Sequence, residues 1–107
     1  MLNLKTRSNC PVSNSLDVLG DKWSLLIVRD LLHSKEMTYG DFLKSEEKIA
    51  TNILASRLQM LEENGIVSKF PHPESKAKVL YKLTVKGIDL LPVIIEMSVW
   101  FDKYYDL

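Results

Sequence analysis

The chain has 107 residues, 46% of them hydrophobic and 26% charged, enough for one domain around one modest core. Fourteen Lys and Arg balance fourteen Asp and Glu, so bulk charge does not advertise nucleic acid, and no apolar run approaches the roughly 18–20 residues of a membrane span. The start, Met1-Leu-Asn-Leu-Lys, has no apolar signal core, and the lone cysteine, Cys10, excludes an intrachain disulfide, so a reduced, cytoplasmic protein is expected.

Residues 1–12 read as irregular, with Pro11 as a break. Ser13 or Asn14 caps a short helix through about Leu19, and Gly20 closes it. Asp21 then caps a helix over about Lys22–His33 by accepting a backbone N–H. Trp23, Leu26, Ile27 and Leu31 are its core stripe. Residues 34–37 form a connector, and Met37-Thr38 adds a short edge strand. Thr38 caps a short helix, Tyr39–Lys44, with Phe42 and Leu43 facing inward. Residues 45–48 turn the chain into the next helix.

That helix, at 50–63, organises the rest. Leu54, Leu58 and Leu61 share one face at spacings of four and three. Thr51, Asn52, Ala55, Ser56 and Gln59 share another, which is small and polar and carries no acid. Asn64-Gly65 ends the helix. Ile66, Val67 and Phe70 begin a strand, residues 71–78 (PHPESKAK) form a turn-rich tip, and residues 79–84 (VLYKLT) return as a second strand. A helix-turn-helix over 38–64 followed by a hairpin is the core of a winged helix, whose second helix fits a major groove about 12 Å wide.

Charge is unevenly placed. From Ile66 to Lys86 there are lysines 69, 76, 78, 82 and 86 against Glu74, a net of +4. From Gly87 to Leu107 there are Asp89, Glu96, Asp102 and Asp106 against Lys103, a net of −3. A basic hairpin beside an acidic tail suggests that one end meets phosphate and the other does not. After the hairpin, Thr84 caps a short helix and Pro92 sits in the first turn of a final one, about Val93–Tyr105. Val93, Met97, Trp100 and Tyr104 form one apolar stripe there; Ile94, Phe101 and Tyr105 form another. A terminal helix this apolar needs cover, and a second copy of the chain is the simplest cover.

Catalytic and metal signatures are missing. There is no Gly-rich phosphate loop, and His33, His72 and Cys10 give no zinc spacing. Glu46/Glu47 and Glu62/Glu63 read as solvated charges rather than an acid/base pair. No enzyme, metal or cofactor is expected.

Several strings coincide with one family. Cys10-Pro11, the run Leu16-Asp17-Val18-Leu19-Gly20-Asp21-Lys22-Trp23, then Leu54, Arg57-Leu58, Leu61-Glu62, Asn64-Gly65-Ile66-Val67, and Tyr81-Lys82-Leu83-Thr84 with Gly87 together resemble the HxlR family. These are bacterial and archaeal winged-helix regulators, similar to MarR-type proteins. The resemblance covers Cys10 to Trp100. It implies a homodimer joined by terminal helices, a recognition helix at 50–63 and a wing at 66–84. The chain departs from the pattern in places. Asp21 stands where Gly is frequent, Met37–Tyr39 where a basic residue and Phe are frequent, and Leu80 where Glu usually precedes the wing's Tyr. Lys48-Ile49-Ala50 replaces a Gly-Ile-Ser helix start, so the Ser cap oxygen is missing and Thr51 is left to cap a shortened helix.

The expected fold is α+β, mostly α: a winged helix-turn-helix over 1–107 with N- and C-terminal dimerisation helices and a two- to three-stranded antiparallel wing sheet. The expected function is sequence-specific DNA binding by a homodimeric transcriptional regulator on a palindromic operator. The alternative is a winged-helix protein-interaction module that never binds DNA. Thr38, Thr51, Asn52, Ala55, Ser56 and Gln59 face bases or phosphates, and Lys69, Lys76 and Lys78 hold phosphates. Arg57 either reaches a phosphate or pairs with an acid inside the domain. Val12, Leu16, Ile94, Met97, Trp100, Phe101 and Tyr104 form the dimer interface. Some family members use a cysteine at the position of Cys10 to sense oxidants or electrophiles, so the resemblance offers Cys10 as a redox sensor, with Lys5 and Arg7 near it in sequence; a small thiol packed under a helix is the other reading. The partners expected are double-stranded DNA, a second copy, and a small-molecule or oxidant effector, with no membrane.

Overall fold

The computed structural model describes residues 6–107. The first helix, α1, runs Pro11–Leu19. It starts earlier than expected, because Pro11 occupies the first turn, where its missing N–H is no loss. So Pro11 opens the helix rather than breaking the chain. Helix α2, Ser24–Ser34, starts later than expected. The Asp21 carboxylate accepts from the backbone N–H of Trp23 at 2.9 Å and of Ser24 at 3.0 Å, and from the Ser24 hydroxyl at 2.5 Å. It caps α2 as anticipated, from three residues before its first residue.

Strand β1, Glu36–Thr38, leads directly into the single-turn helix α3, Tyr39–Phe42. Thr38 and Asp41 form a reciprocal capping box, which fixes that junction. Helix α4, Thr51–Glu63, is followed by Gly65 at φ +70°, the left-handed conformation that lets the chain reverse into the sheet. Strands β2, Val67–His72, and β3, Ser75–Leu83, are joined across Pro73-Glu74. The wing is therefore mostly paired strand, where the sequence suggested an irregular tip from 71 to 78. Its register holds Phe70 opposite Leu80 and Pro71 opposite Val79, with an irregularity between Pro71 and His72. Pro71 is tolerated because β2 lies on the sheet edge: the order is β1-β3-β2, all antiparallel.

Helix α5, Val85–Ile88, is capped by the Thr84 hydroxyl, which also donates to the Gly65 carbonyl at 2.5 Å. A Cβ on Gly87 would stand 2.3 Å from the Ile66 carbonyl oxygen, so only glycine lets α5 lie this close to the start of β2. The chain ends in α6, Leu91–Tyr104.

The core gathers Ile27, Val28 and Leu31 of α2, Phe42 of α3, Ile49, Leu54, Leu58 and Leu61 around α4, and Ile66 and Val67 at the wing's root. Every helix of the helix-turn-helix thus buries one stripe against the sheet. Helix α6 buries no residue fully; Ile94 is its link to this core.

Candidate nucleic-acid interface

Helix α4 has two opposed faces. Leu54, Leu58 and Leu61 are buried to 2% exposure or less. Thr51, Asn52, Ala55, Ser56 and Gln59 are all exposed, at the helical spacing the sequence implied. Ala50 precedes the helix and offers no side-chain cap, while Thr51 is its first residue. The helix is therefore not shortened by a Thr51 cap; its first N–H groups stay open to solvent or to an acceptor supplied from outside. Thr38 sits half-buried at the other end of the motif. Its hydroxyl accepts from the Asp41 N–H at 3.2 Å, so it caps α3 first.

Three cross-links hold α4 in place. Arg57 pairs with Asp21, Nη1 to Oδ1 at 3.6 Å, and donates to the Ser56 hydroxyl at 3.1 Å. Of its two readings, the structure gives the one inside the domain. Burial would raise the Asp21 carboxyl, but the Ser24 hydroxyl, the N–H groups of Trp23 and Ser24 and the Arg57 charge outweigh it, and the carboxyl lies below its ordinary value. The Tyr39 hydroxyl donates to the Thr51 carbonyl, tethering the helix start to α3. Arg29 of α2 grips Glu47 through two hydrogen bonds, 3.0 and 2.9 Å, just ahead of α4. That grip, with the Ser45 hydroxyl, draws the Glu47 carboxyl down to about 2, so Glu47 is a fastened residue rather than a solvated charge.

On the wing, Lys76 and Lys78 are exposed and, among the described residues, in no ion pair, two residues apart on β3. Lys69 differs, lying 3.8 Å from Glu62 at the end of α4. Lys82 is drawn to Glu36 at 3.5 Å and over the Phe70 ring. Gln59 is also engaged, donating to Glu63 at 3.1 Å. Of these candidates, the polar side chains left without a hydrogen bond or ion pair among the described residues are thus Thr51 and Asn52 on α4 and the wing lysines at 76 and 78 on β3.

The remaining candidates lie elsewhere. Val12 and Leu16 of α1 are exposed, as are Met97, Trp100, Phe101 and Tyr104 of α6. Ile94 instead turns toward its own core. Cys10 is exposed and immediately precedes α1. Arg7 does not attend it: its guanidinium pairs with Asp17 at 3.0 Å. Lys5 lies outside the described residues.

Sequence reasoning did not find the pairs Arg57–Asp21, Arg29–Glu47 and Tyr39–Thr51. Each joins residues far apart in the chain, so no spacing rule reports them; the one available signal was Asp21 itself, an acid in a tight turn with an unassigned arginine on α4.

The HxlR-like helix-turn-helix family matches residues 18–107 of this chain. A relative from Synechocystis, the HTH-type transcriptional regulator sll1512, is 36% identical over 98 residues, which is 88% of this chain and 72% of the relative. The reduced form of the transcriptional regulator YodB from Bacillus subtilis superposes with a TM-score of 0.76 at 34% identity, over 92% of this chain and 97% of that one. The redox regulator HypR in its oxidized form gives a TM-score of 0.79 at 29% identity, over 92% and 100%.

Proposed function

The chain belongs to the HxlR family of helix-turn-helix proteins, and we propose that it is a sequence-specific DNA-binding transcriptional regulator, cytoplasmic and without enzymatic activity. The observation that carries this is the exposed, acid-free face of Thr51, Asn52, Ala55, Ser56 and Gln59 next to a wing whose Lys76 and Lys78 are unpaired among the described residues. The helix enters the major groove and reads base edges; the wing lysines hold phosphate and set the register. The working unit is a homodimer of two copies of the 1–107 domain, whose apolar α6 and exposed Val12 and Leu16 cover one another. It binds a palindromic operator.

Support for an oxidant or electrophile effector comes from the relatives. YodB has been solved reduced, bound to quinone and after treatment with diamide, and HypR is a redox regulator. In this chain Cys10 is the residue in reach, exposed at the foot of α1. With no second cysteine, its chemistry is an adduct, a mixed disulfide or a bond to the partner copy's thiol.

A low-salt gel shift tests the reading. Random duplex should be bound, and DNA from upstream of the chain's own coding region should stay bound at salt concentrations that release random duplex. Failure to shift any duplex at about 50 mM salt, where phosphate-driven binding is strong, would refute DNA binding. Equal response of wild type and Cys10→Ser to diamide or a quinone would remove Cys10 as the sensor.

A further inference from the structure

A cleft of about 390 Å³ opens between α1 and the root of the wing. We propose that it binds a small, flat, largely apolar molecule carrying a hydrogen-bond donor and an anionic group, as an effector separate from any chemistry at Cys10. The proposal rests on the regulator reading only for what binding does to DNA; the binding itself is independent of it.

The volume lies within the range of small-molecule sites, roughly 300–1,000 Å³. The walls are mainly apolar, with Val18 from α1, Ile66 from the start of β2 and Leu90 from the turn before α6. Asn14, Ser15, Asn64 and Lys86 break that lining, and two of them ask a ligand for different things. The Lys86 ammonium is held 2.7 Å from the Asn64 carbonyl, at the C-terminal end of α4. It presents a fixed positive charge on an apolar wall, which suits a carboxylate or phenolate. Asn14 also lines the cleft, and its Oδ1 is shielded from water with no donor among the described residues. Acceptors shut away in this manner are normally partnered. A hydroxyl or N–H on a ligand supplies the missing donor.

The position gives the site a consequence. One wall is α1, whose Val12 and Leu16 are exposed for the proposed dimer contact. The opposite wall includes Asn64, directly after the recognition helix. A molecule that fits best at one spacing of α1 and α4 shifts the population toward that spacing, and with it the separation of the two recognition helices.

The probe is 6-hydroxy-2-naphthoate, titrated into the full chain without DNA and followed by its fluorescence. One molecule per chain should bind, about tenfold more tightly than 2-naphthoate, which lacks the donor, or 2-naphthol, which lacks the anion. Asn14→Leu should erase the preference for the hydroxyl and keep that for the carboxylate. Lys86→Met should do the reverse. Ser15→Phe, an exposed cleft residue on α1, should block all three while leaving the circular dichroism and melting temperature intact. No saturable binding, including the case where a partner's side chain already fills the cleft, overturns the proposal; so does binding indifferent to Ser15→Phe. In the gel shift the probe should move the wild-type midpoint severalfold and not that of Ser15→Phe; an unmoved midpoint overturns the effector role. If no duplex is shifted at all, the regulator reading fails while the titration still decides the cleft.

Discussion

Lys48 carries a backbone cost that the sequence half reveals. Its φ is +55°, in the left-handed region where a Cβ is crowded, at roughly 1–2 kcal/mol for an ordinary residue. It stands where the resembling family often has Gly. Lys48→Gly relieves the crowding but gives the unfolded chain more freedom, worth roughly 0.4–1 kcal/mol in the opposite sense. The net expectation is a gain of between nothing and about 1.6 kcal/mol, whereas Lys48→Val should lose stability because a branched Cβ fits the region worst. Urea midpoints of the three proteins check this, and a destabilised Gly variant would show the conformation is not strained. Asp21 is the second residue to test. Asp21→Ala removes an N-cap and should cost about 1–2 kcal/mol at neutral pH. Because its folded carboxyl lies below the ordinary value, the stabilisation is complete above about pH 4, the unfolded titration range. It is lost as pH falls through the lower folded value, so the gap between wild type and variant should be widest near pH 7 and shrink progressively as pH falls below about 4. An equal gap at both would mean the carboxylate's charge is not what matters. Asp21 as a cap was legible because capping is local. Its bond to Arg57 was not, because nothing in the chain between them encodes how α2 and α4 cross.

Among the elements, α4 and the wing carry side chains less free than their sequences alone suggest. The polar face of α4 was readable from helical spacing. The engagement of Gln59 with Glu63 and of Lys69 with Glu62 was not. Both acids lie at the C-terminal end of α4, one turn or one strand away, and periodicity assigns faces rather than partners. The consequence is a ranking. Asn52→Ala should cost about 1–3 kcal/mol of preference at one base pair, and Gln59→Ala less, because Gln59 must first leave Glu63. Replacing Lys76 and Lys78 by Gln should weaken binding to every duplex alike and lower the salt slope by about 0.9 for each phosphate no longer neutralised. Lys69→Gln should change the slope less. Equal slopes for all three lysine variants would mean the ion pair with Glu62 does not compete with phosphate. The paired wing was missed from 71 to 78 because two prolines and a His read as punctuation. Pro71 lies on an edge strand beside a register irregularity, the setting in which a sheet tolerates proline.

For the whole molecule, the apolar surface left over lies on the outside. The radius of gyration is 14.8 Å, against about 13 Å for a compact chain of this length. Helix α6 lies against α2 with no fully buried residue. Met97, Trp100 and Tyr104 are each more than half exposed. Trp100 lies near Tyr104 and Tyr105, and Phe101 stacks on Tyr105 at 4.7 Å, so the helix presents a continuous aromatic surface. Such a patch on a monomer is an aggregation hazard, and one that meets its own copy about a two-fold axis is an interface. The sequence showed the apolar helix plainly; that Ile94 turns inward and leaves the aromatic stripe outside came only from the packing. Trp100→Asp places a charge at the centre of that stripe and should cost several kcal/mol of association if the residue is buried between copies. Wild-type protein at micromolar concentration should sediment at twice the chain mass, and the variant at the chain mass with an unchanged helical signal. The variant should also lose operator binding far more than random-duplex binding, because a palindrome needs two recognition helices about 34–36 Å apart. A monomeric wild type would refute the dimer. A dimer indifferent to Trp100→Asp would move the contact off this stripe, toward Val12 and Leu16 on α1.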